Sequence, residues 1–313
     1  MKSTVSATEQ TWTDFLAPRY WGTWILILWM RLLALMPFRL GLAMGSGFGM
    51  FLYFVLKSRR HIAQVNAALC FPDKNPLERK TFVKEIFKAN GTGLVETAWA
   101  YWGSKDNIQK RTTLKGADLL AEALKQERGV ILLGAHFSTL DLGGVLLSFY
   151  GCPVECLYRK HDNPLMDFII REKRGRFTSV IERKKLRQVV RSLRKNHCVW
   201  YAPDQDFGKA DSVFVPFFGQ LAATIVGTTK MVRLNNSPIL MVSHHRNADN
   251  SGYTIELSPV PGFPSGDDSQ DALIVNQTIE REIRKAPDQY MWVHRRFKTQ
   301  PDGRNKLYDE TAS

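Results

Sequence analysis

A histidine and an aspartate five residues apart are the side chains of this chain best suited to chemistry. His136 ends the apolar run of the stretch GVILLGAHFSTLDLGG, and Asp141 follows it. An imidazole titrates near neutral pH and can take a proton from a hydroxyl group. A carboxylate that accepts the hydrogen on Nδ1 would fix the ring tautomer and leave Nε2 free. The pair therefore indicates general base catalysis, with Asp141 orienting His136.

The spacing restricts where these two residues can lie. Five residues advance a regular helix by about 500°, which would leave the two side chains roughly 140° apart. They can meet only if His136 lies in a turn between strand and helix and Asp141 lies in the first helical turn. A second interpretation is open, because Ser138 to Asp141 also matches a capping box, with Ser138 at the N-cap and Asp141 at N3.

Two further polar clusters follow strand-like segments. Arg159 follows the strand-like residues 154–158, and the sequence DQD at 204–206 follows residues 198–202. In open parallel sheets, ligands bind beyond the carboxyl ends of the strands. We therefore expect both clusters to converge with His136 at one sheet edge. Asp204 and Asp206 either orient Arg159 or a sugar, or terminate a strand in an Asx turn.

Strands and helices alternate through the part of the chain that must position these residues. The pattern predicts a helix at 77–102, a strand at 131–134, a helix from 138, a strand at 154–158, helices from 164 and at 185–195, a strand at 198–202, a helix from 222 and a strand at 239–243. SVFVPFF, at 212–218, is predicted to be an apolar loop because Pro216 interrupts it. This alternation indicates the α/β class, with a central, mostly parallel sheet flanked by helices.

The N-terminal part of the chain indicates membrane association. Between residues 21 and 56 the only charged residues are Arg31 and Arg39. Residues 21–36 are predicted to form a spanning or deeply embedded helix, with tryptophans as interfacial anchors. Residues 40–56 are predicted to form a second embedded helix or a core helix.

Small and basic residues refine this prediction. Gly41, Gly45 and Gly49 recur every four residues, which predicts close packing against another helix. Basic residues follow at 57–60 and argue that the rest of the protein is cytoplasmic. We divide the chain into membrane anchor and packing helices at 1–60 and a catalytic domain at 61–313.

The charge balance limits the classes of function. The chain has 43 Lys and Arg against 30 Asp and Glu, a formal net charge of +13, which predicts attraction to polyanions. A nucleic-acid-binding protein is disfavoured, because it leaves the apolar N-terminus unexplained and no binding motif is present. A non-catalytic membrane protein that binds anionic lipids explains the charge and the anchor, but it does not need His136 at a strand end.

Cysteine and histidine usage predicts that no metal is bound. The four cysteines, Cys70, Cys152, Cys156 and Cys198, form no CxxC pair, so neither a zinc site nor a disulfide framework is expected, and the thiols should be reduced and mostly buried. The adjacent residues His244 and His245 would point to opposite faces of a strand and make a poor ligand pair.

Several blocks in order along the chain resemble one enzyme family. HFSTLDLGG, YRKHDNPLMD, WYAPDQDFG, SVFVPFFGQLAAT and QYMWVHRRFKTQPDG, together with RYWGTW and NAALCFPD, resemble the late, or secondary, acyltransferases of lipid A biosynthesis. These lauroyl and myristoyl transferases belong to the HxxxxD lysophospholipid acyltransferase superfamily. The lauroyl-transferring branch often carries glutamate at the position of Asp141, which is a conservative difference. The resemblance covers nearly the whole chain.

The resemblance implies a reaction and a location. A fatty acyl chain would pass from acyl carrier protein, as co-substrate, to a hydroxyl of a primary acyl chain on a lipid A precursor, without a metal or other cofactor. His136 would be the general base, Asp141 would stabilise the imidazolium, and Arg159 would either bind the oxyanion or hold a substrate phosphate. The partners would be acyl carrier protein, the lipid precursor and anionic membrane lipids, with no nucleic acid. The enzyme would lie in the bacterial inner membrane, with its catalytic domain on the cytoplasmic face.

The same resemblance supplies further candidate residues. Residues 159–195 contain 13 Lys and Arg against four Asp and Glu, and the arginines could bind lipid phosphates or acidic carrier protein. The substrate-binding candidates are Asn163, Arg174, Arg176, Arg183, Asp204, Gln205 and Asp206. The candidates for an acyl-chain tunnel are Phe214, Phe217 and Phe218. An acyltransferase acting on glycerophosphate or lysophospholipid is the alternative, although the blocks MWVHRRFK and DQD favour the lipid A branch.

Overall fold

The computed structural model describes residues 11–182, 185–303 and 307–309. The helices are α1 (Trp21–Ala34), α2 (Phe38–Val55), α3 (Lys57–Cys70), α4 (Pro76–Trp102), α5 (Lys105–Gln109), α6 (Ala117–Leu124), α7 (Leu140–Leu147), α8 (Pro164–Arg174), α9 (Leu186–Arg194), α10 (Gly227–Asn235) and α11 (Asp268–Ile283). The strands are β1 (Thr112–Lys115), β2 (Val130–Leu133), β3 (Val154–Tyr158), β4 (Ser179–Glu182), β5 (Cys198–Tyr201), β6 (Ser212–Phe217), β7 (Gln220–Ile225), β8 (Ile239–Arg246) and β9 (Tyr253–Pro259).

Seven strands form a central sheet in the order β1-β9-β8-β2-β5-β3-β4. Every neighbouring pair is parallel except β8 and β9, which are antiparallel. All four residues of the central strand β2 are buried, as expected for a strand covered by helices on both faces. The predicted α/β fold with a mostly parallel sheet is confirmed.

The segment after β5 differs from the prediction. Residues 212–218 were expected to be a loop and a helix was expected from Ala222, but β6 and β7 form a separate antiparallel hairpin, and α10 begins only at Gly227. Phe218 and Gly219 connect the two strands with φ of 50° and 75°, the backbone region that tight hairpin turns require. Pro216 is tolerated because a two-stranded ribbon offers edge positions that need no backbone donor.

The glycines of α2 allow this helix to lie directly against α4. A Cβ atom added to Gly45 would lie 2.7 Å from the Cα of Thr92, and one added to Gly49 would lie 2.8 Å from the Cα of Lys88. These distances are shorter than any real Cβ contact, so only glycine permits this helix separation. The predicted close helix packing at Gly41, Gly45 and Gly49 is confirmed.

Replacement of Gly49 by Ala is expected to destabilise the protein by about 1–3 kcal/mol, because the added methyl group overlaps the backbone of α4. Gly47→Ala is the matched control on the same helix. No atom lies within 4 Å of a Cβ added at Gly47, so the better helix propensity of alanine should stabilise that variant by up to about 1 kcal/mol. Thermal unfolding in detergent measures both changes, and equal Tm values would contradict the packing described here.

Many of the exposed large apolar residues of the described chain lie on the first two helices. In the described part of the chain, α2 is the one helix whose length and composition would allow it to cross a membrane. The 14 residues of α1 fall short of the roughly 20 that a spanning helix needs, so the spanning alternative predicted for residues 21–36 is not supported. The outward side of α1 is nevertheless apolar, with Ile25 and Leu28 both exposed. This surface fits membrane association.

Candidate active site

His136 lies at the carboxyl edge of the sheet, in the loop between β2 and α7. The amide of Met291 donates to the carbonyl of His136 at 2.9 Å, and the amide of Ser138 donates to the carbonyl of Gln289 at 2.6 Å. A bridge between Phe137 and Tyr290 completes this pairing. The loop that carries His136 is therefore held in place by a segment near the end of the described chain.

The imidazole of His136 pairs with Asp204, which follows β5. The distance from Nδ1 to Oδ1 is 2.6 Å, and the His136 amide donates to Oδ2 at 2.9 Å. The Asp204 side chain is fully buried, while the imidazole is 20% exposed. The predicted bond between Nδ1 and Asp141 is therefore wrong. Asp204, predicted to bind substrate, orients the ring instead.

Burial and charge act in opposite directions on this pair. Burial lowers the pKa of His136, but the charge and hydrogen bond of Asp204 raise this pKa by more, so it lies above the ordinary 6.5. Burial raises the pKa of Asp204, whereas the charge and hydrogen bonds of His136 lower this pKa to about 2. Asp204 is therefore ionised at neutral pH. Neutral His136 then donates from Nδ1 and keeps its lone pair on Nε2.

Asp141 has a different partner in the same site. Its Oδ1 accepts from Nε of Arg174 at 2.8 Å and from the hydroxyl of Tyr101 at 3.1 Å. The capping interpretation is wrong, because α7 begins after Thr139 and has no side-chain cap. Asp141 lies in the first turn, as predicted, and forms an ion pair beside His136.

A small cavity of about 60 Å³ joins these groups. It is lined by His136, Asp141 and Arg174, with apolar and aromatic side chains including Phe177 and Trp200. A cavity of this size has room for a few water molecules, or for a hydroxyl group and the carbonyl that it attacks. The backbone amides of residues 136–138 all donate to groups inside the protein. The candidate donors to a developing oxyanion that line this cavity are therefore side chains, and they include the guanidinium of Arg174 and the partnerless indole N–H of Trp200.

Two predicted site residues lie away from this cavity. The Arg159 side chain is 68% exposed and forms a surface ion pair with Asp162 at 3.6 Å. Asn163 caps α8 by accepting from the amides of Leu165 and Met166, and its amide group donates to Thr23 of α1. Arg159 is thus not the cation of the site, and Asn163 serves the structure rather than a substrate.

Of the other polar residues predicted to bind substrate, one lies beside His136 and two make hydrogen bonds that hold other parts of the structure. Gln205 lines a narrow cleft on another side of His136, together with His294. Asp206 accepts from the amide and hydroxyl of Thr299, which ties down the C-terminal segment. Arg176 donates to the carbonyl of Tyr101. Arg183 lies outside the described residues.

The phenylalanines predicted to line an acyl tunnel lie in the β6–β7 hairpin. Phe217 and Phe218 are buried in a hydrophobic cluster with Tyr290 and Trp292, where neighbouring side chains fill the space around them. Phe214 is half-buried on β6 of the same hairpin. Phe217 and Phe218 are therefore core residues of the described chain, and the acyl tunnel at these phenylalanines stays a prediction.

Two residues near the site, Tyr101 and His244, were not among the predicted site residues. Tyr101 lies 40 residues before Asp141, near the end of α4, and no local pattern separates it from the core residues of that helix. His244 lies beneath α7 and bonds Thr139, and burial lowers its pKa to about 3, so it is neutral. His245 faces the other side of β8 and is half-buried, which confirms the predicted alternation of the two histidines.

Comparisons with known proteins agree on one group. The model of the family described as bacterial lipid A biosynthesis acyltransferase matches residues 9–299. The chain is similar to the lipid A biosynthesis palmitoleoyltransferase of Escherichia coli K12, with 40% identity covering 94% of this chain and 97% of the relative. The lauroyltransferase of that organism is 37% identical, covering 93% and 96%, and the myristoyltransferase is 26% identical, covering 94% and 92%.

Proposed function

The chain belongs to the bacterial lipid A biosynthesis acyltransferases, and from this we propose that it transfers a fatty acyl chain from acyl carrier protein to a hydroxyl of a primary acyl chain on a lipid A precursor. Family membership identifies an acyltransferase of the late steps. The observation that carries the finer proposal is the bond of His136 to buried Asp204, beside a cavity that also holds Asp141 and Arg174.

In the first step, Nε2 of His136 takes the proton from the acceptor hydroxyl as its oxygen attacks the thioester carbonyl. The Nδ1 hydrogen stays on the bond to Asp204, whose charge stabilises the imidazolium that forms. The carbonyl becomes a tetrahedral oxyanion. A positive charge on the ring is favoured here, because Asp204 already raises the pKa of His136.

In the second step, the tetrahedral intermediate collapses, the carbon–sulfur bond breaks, and the imidazolium returns its proton to the departing thiolate. The products are the new ester and the free thiol of the carrier protein, and the enzyme recovers neutral His136. No external oxidant or reductant is needed. In this scheme Arg174 stabilises the oxyanion, and Asp141 holds Arg174 in position through the bond to its Nε.

Arg174→Ala is expected to lower the transfer rate about a hundredfold, since it removes the proposed donor to the oxyanion. Arg159→Ala is the matched control, because this exposed arginine contacts only Asp162 among the ion pairs of the described residues. Its rate should stay near that of the wild type. Steady-state kinetics with acyl carrier protein thioester and lipid A precursor compare the two. A larger loss of rate in Arg159→Ala than in Arg174→Ala would contradict the oxyanion role proposed for Arg174.

The surface properties support the proposed partners and location. The apolar side of α1 and α2 would contact the inner membrane, and the cationic α8 and α9 region would attract anionic lipid phosphates and acidic carrier protein. The domain would face the cytoplasm, where acyl carrier protein is available.

Mass spectrometry of lipid A from cells with and without the protein tests the proposed function. We expect the loss of one or two saturated secondary acyl chains of medium length, restored by the wild-type gene. The donor is identified with the purified protein: we expect it to acylate lipid A precursor when the acyl chain is supplied on acyl carrier protein and not when it is supplied on another donor. Unchanged lipid A together with altered glycerophospholipids would reject the proposal in favour of an acyltransferase of the wider superfamily.

A further inference from the structure

Two thiols of this protein lie in direct contact at the amino edge of the central sheet. Cys198 is the first residue of β5, and Cys152 lies in the short segment that precedes β3. Their sulfur atoms are 3.5 Å apart, although the two residues are separated by 46 positions along the chain. Both are free thiols in this structure. The fold therefore brings together two groups that can be oxidised as a pair.

The backbone fixes Cys198 and leaves Cys152 room to move. Cys198 lies in the middle of the sheet, in register with Val154 of β3, and its amide donates to the carbonyl of Pro153 at 2.9 Å. Gly151 precedes Cys152 with φ of 74°, and no atom lies within 4 Å of a Cβ added to it. A disulfide bond requires the two sulfur atoms to approach by about 1.5 Å. The open turn at Gly151 allows a movement of that size.

The two thiols differ in exposure and in acidity. Cys152 is half-buried, whereas Cys198 is fully buried. A hydrogen bond from the Cys198 thiol lowers the pKa of Cys152, against the raising effect of burial. The same hydrogen bond and burial both raise the pKa of Cys198. Because the thiolate is the nucleophile, a soluble oxidant should react first at Cys152.

The other two cysteines lack this arrangement. Cys70 is buried on α3 in a hydrophobic cluster, and Cys156 is buried on β3 beside the catalytic cavity. Burial raises the pKa of both thiols. Within the described residues, neither of them forms a hydrogen bond with another cysteine. Buried thiols without a partner are inert toward oxidants, so the reactive pair is selected by the fold.

We propose that Cys152 and Cys198 form a redox modification site, at which a peroxide closes a reversible disulfide bond between the β3 and β5 segments. The Cys152 thiolate attacks one peroxide oxygen, the oxygen–oxygen bond breaks, and Cys152 becomes a sulfenic acid as hydroxide leaves. The Cys198 sulfur then attacks the sulfenic sulfur, and its proton departs with the hydroxyl group as water. Two thiols are thus oxidised to one disulfide, and one peroxide is reduced to two water molecules.

The disulfide would close a loop that contains α8, β4 and α9, and therefore Arg174. Closing a loop of this length reduces the conformational entropy of the unfolded chain. We expect the oxidised protein to have a Tm about 5 °C above that of the reduced protein. His136 and Asp204 lie beyond the carboxyl ends of β2 and β5, at the opposite edge of the sheet, so the bond would not contact them.

Mass spectrometry of the reduced, full-length protein in detergent tests for the bond. The protein is treated with hydrogen peroxide in small molar excess, and the remaining free thiols are blocked with N-ethylmaleimide. We expect a linked pair of peptides that contain Cys152 and Cys198, and dithiothreitol should separate them. Protein that is unfolded in urea before the same treatment should give several cysteine pairings, because the fold no longer selects one.

Single variants test the order of the two steps. Cys198→Ser should leave Cys152 as a sulfenic acid that reacts with dimedone, whereas Cys152→Ser should leave Cys198 unmodified. Cys70→Ala is the matched control and should still form the linked pair. Thermal unfolding checks that the variants fold and measures the Tm of the oxidised wild-type protein.

Two results in the folded, peroxide-treated wild-type protein would overturn the inference. One is that both thiols stay unmodified, and the other is that Cys152 is oxidised while Cys198 remains free. Mass spectrometry detects the cross-link directly, so a failure of the proposed acyl transfer would leave this result unaffected.

Discussion

Replacement of His136 by Ala is expected to lower the rate of acyl transfer by about 10²- to 10⁴-fold, because it removes the proposed general base, while the Asp141 carboxylate that also lines the cavity is paired with Arg174. The remaining activity would come from substrate positioning and from Arg174. The substitution also leaves the buried Asp204 carboxylate without its imidazole, so a loss of stability should accompany it. His136→Gln, which can still donate to Asp204, separates the two effects. It should recover stability without recovering activity.

His197 provides the matched control for this experiment. It precedes β5 at the amino edge of the sheet and pairs with Glu155, with 3.0 Å between Nδ1 and Oε1. It is thus a second histidine–carboxylate pair, far along the strand from the cavity. His197→Ala should retain nearly wild-type turnover in the same assay. A His136→Ala variant that is folded and transfers acyl chains at the wild-type rate would reject general base catalysis by this residue.

Asp204→Asn is expected to reduce turnover by roughly 10³- to 10⁴-fold, comparable to the loss of the base itself. An amide in place of the carboxylate no longer fixes the Nδ1–H tautomer and does not stabilise the imidazolium. Asp206→Asn is the control two residues away, since its carboxylate bonds Thr299 and Gly208 rather than His136. That variant should lose stability and keep most of its turnover.

The pH dependence distinguishes an orienting role of Asp204 from a merely structural one. Neutral His136 is the active form, so the rate falls as pH drops through its pKa. Asp204 raises this pKa above 6.5, against the lowering effect of burial. In Asp204→Asn, burial and the charge of Arg174 remain, and both lower the pKa of His136, so the acid limb of kcat should move to lower pH while the plateau falls. A pH profile identical to that of the wild type would show that Asp204 does not act through His136.

The position of His136 could be predicted from sequence, but its partner could not. Sequence proximity favoured Asp141, whereas the partner comes from the adjacent strand. Leu133 pairs with Tyr201 in the parallel register of β2 and β5, and His136 and Asp204 each lie three residues beyond that pair. The amino-acid sequence shows that a polar cluster follows each strand. It does not show which two strands are neighbours, because parallel strands that are distant in sequence pair only in the folded sheet.

The arginines and the β6–β7 hairpin are further cases in which the sequence did not reveal contacts between distant segments. Arg159 directly follows a strand and was preferred for that reason, yet Arg174, in the last turn of α8, is the residue that packs into the site. Residues 212–218 were predicted to be a loop because Pro216 interrupts them, but they form β6 because β7 pairs with them. Local patterns predicted the individual elements, and the packing between them determined which side chains meet.

The backbone pairing of residues 136–138 with residues 289–291 has a consequence for biogenesis. During translation, the loop that carries His136 emerges long before the segment that braces it. A nascent or prematurely terminated polypeptide therefore lacks the brace even when its sheet has formed. We therefore expect activity to require residues 289–291, so that a copy of the chain ending before them is inactive even where its sheet is intact.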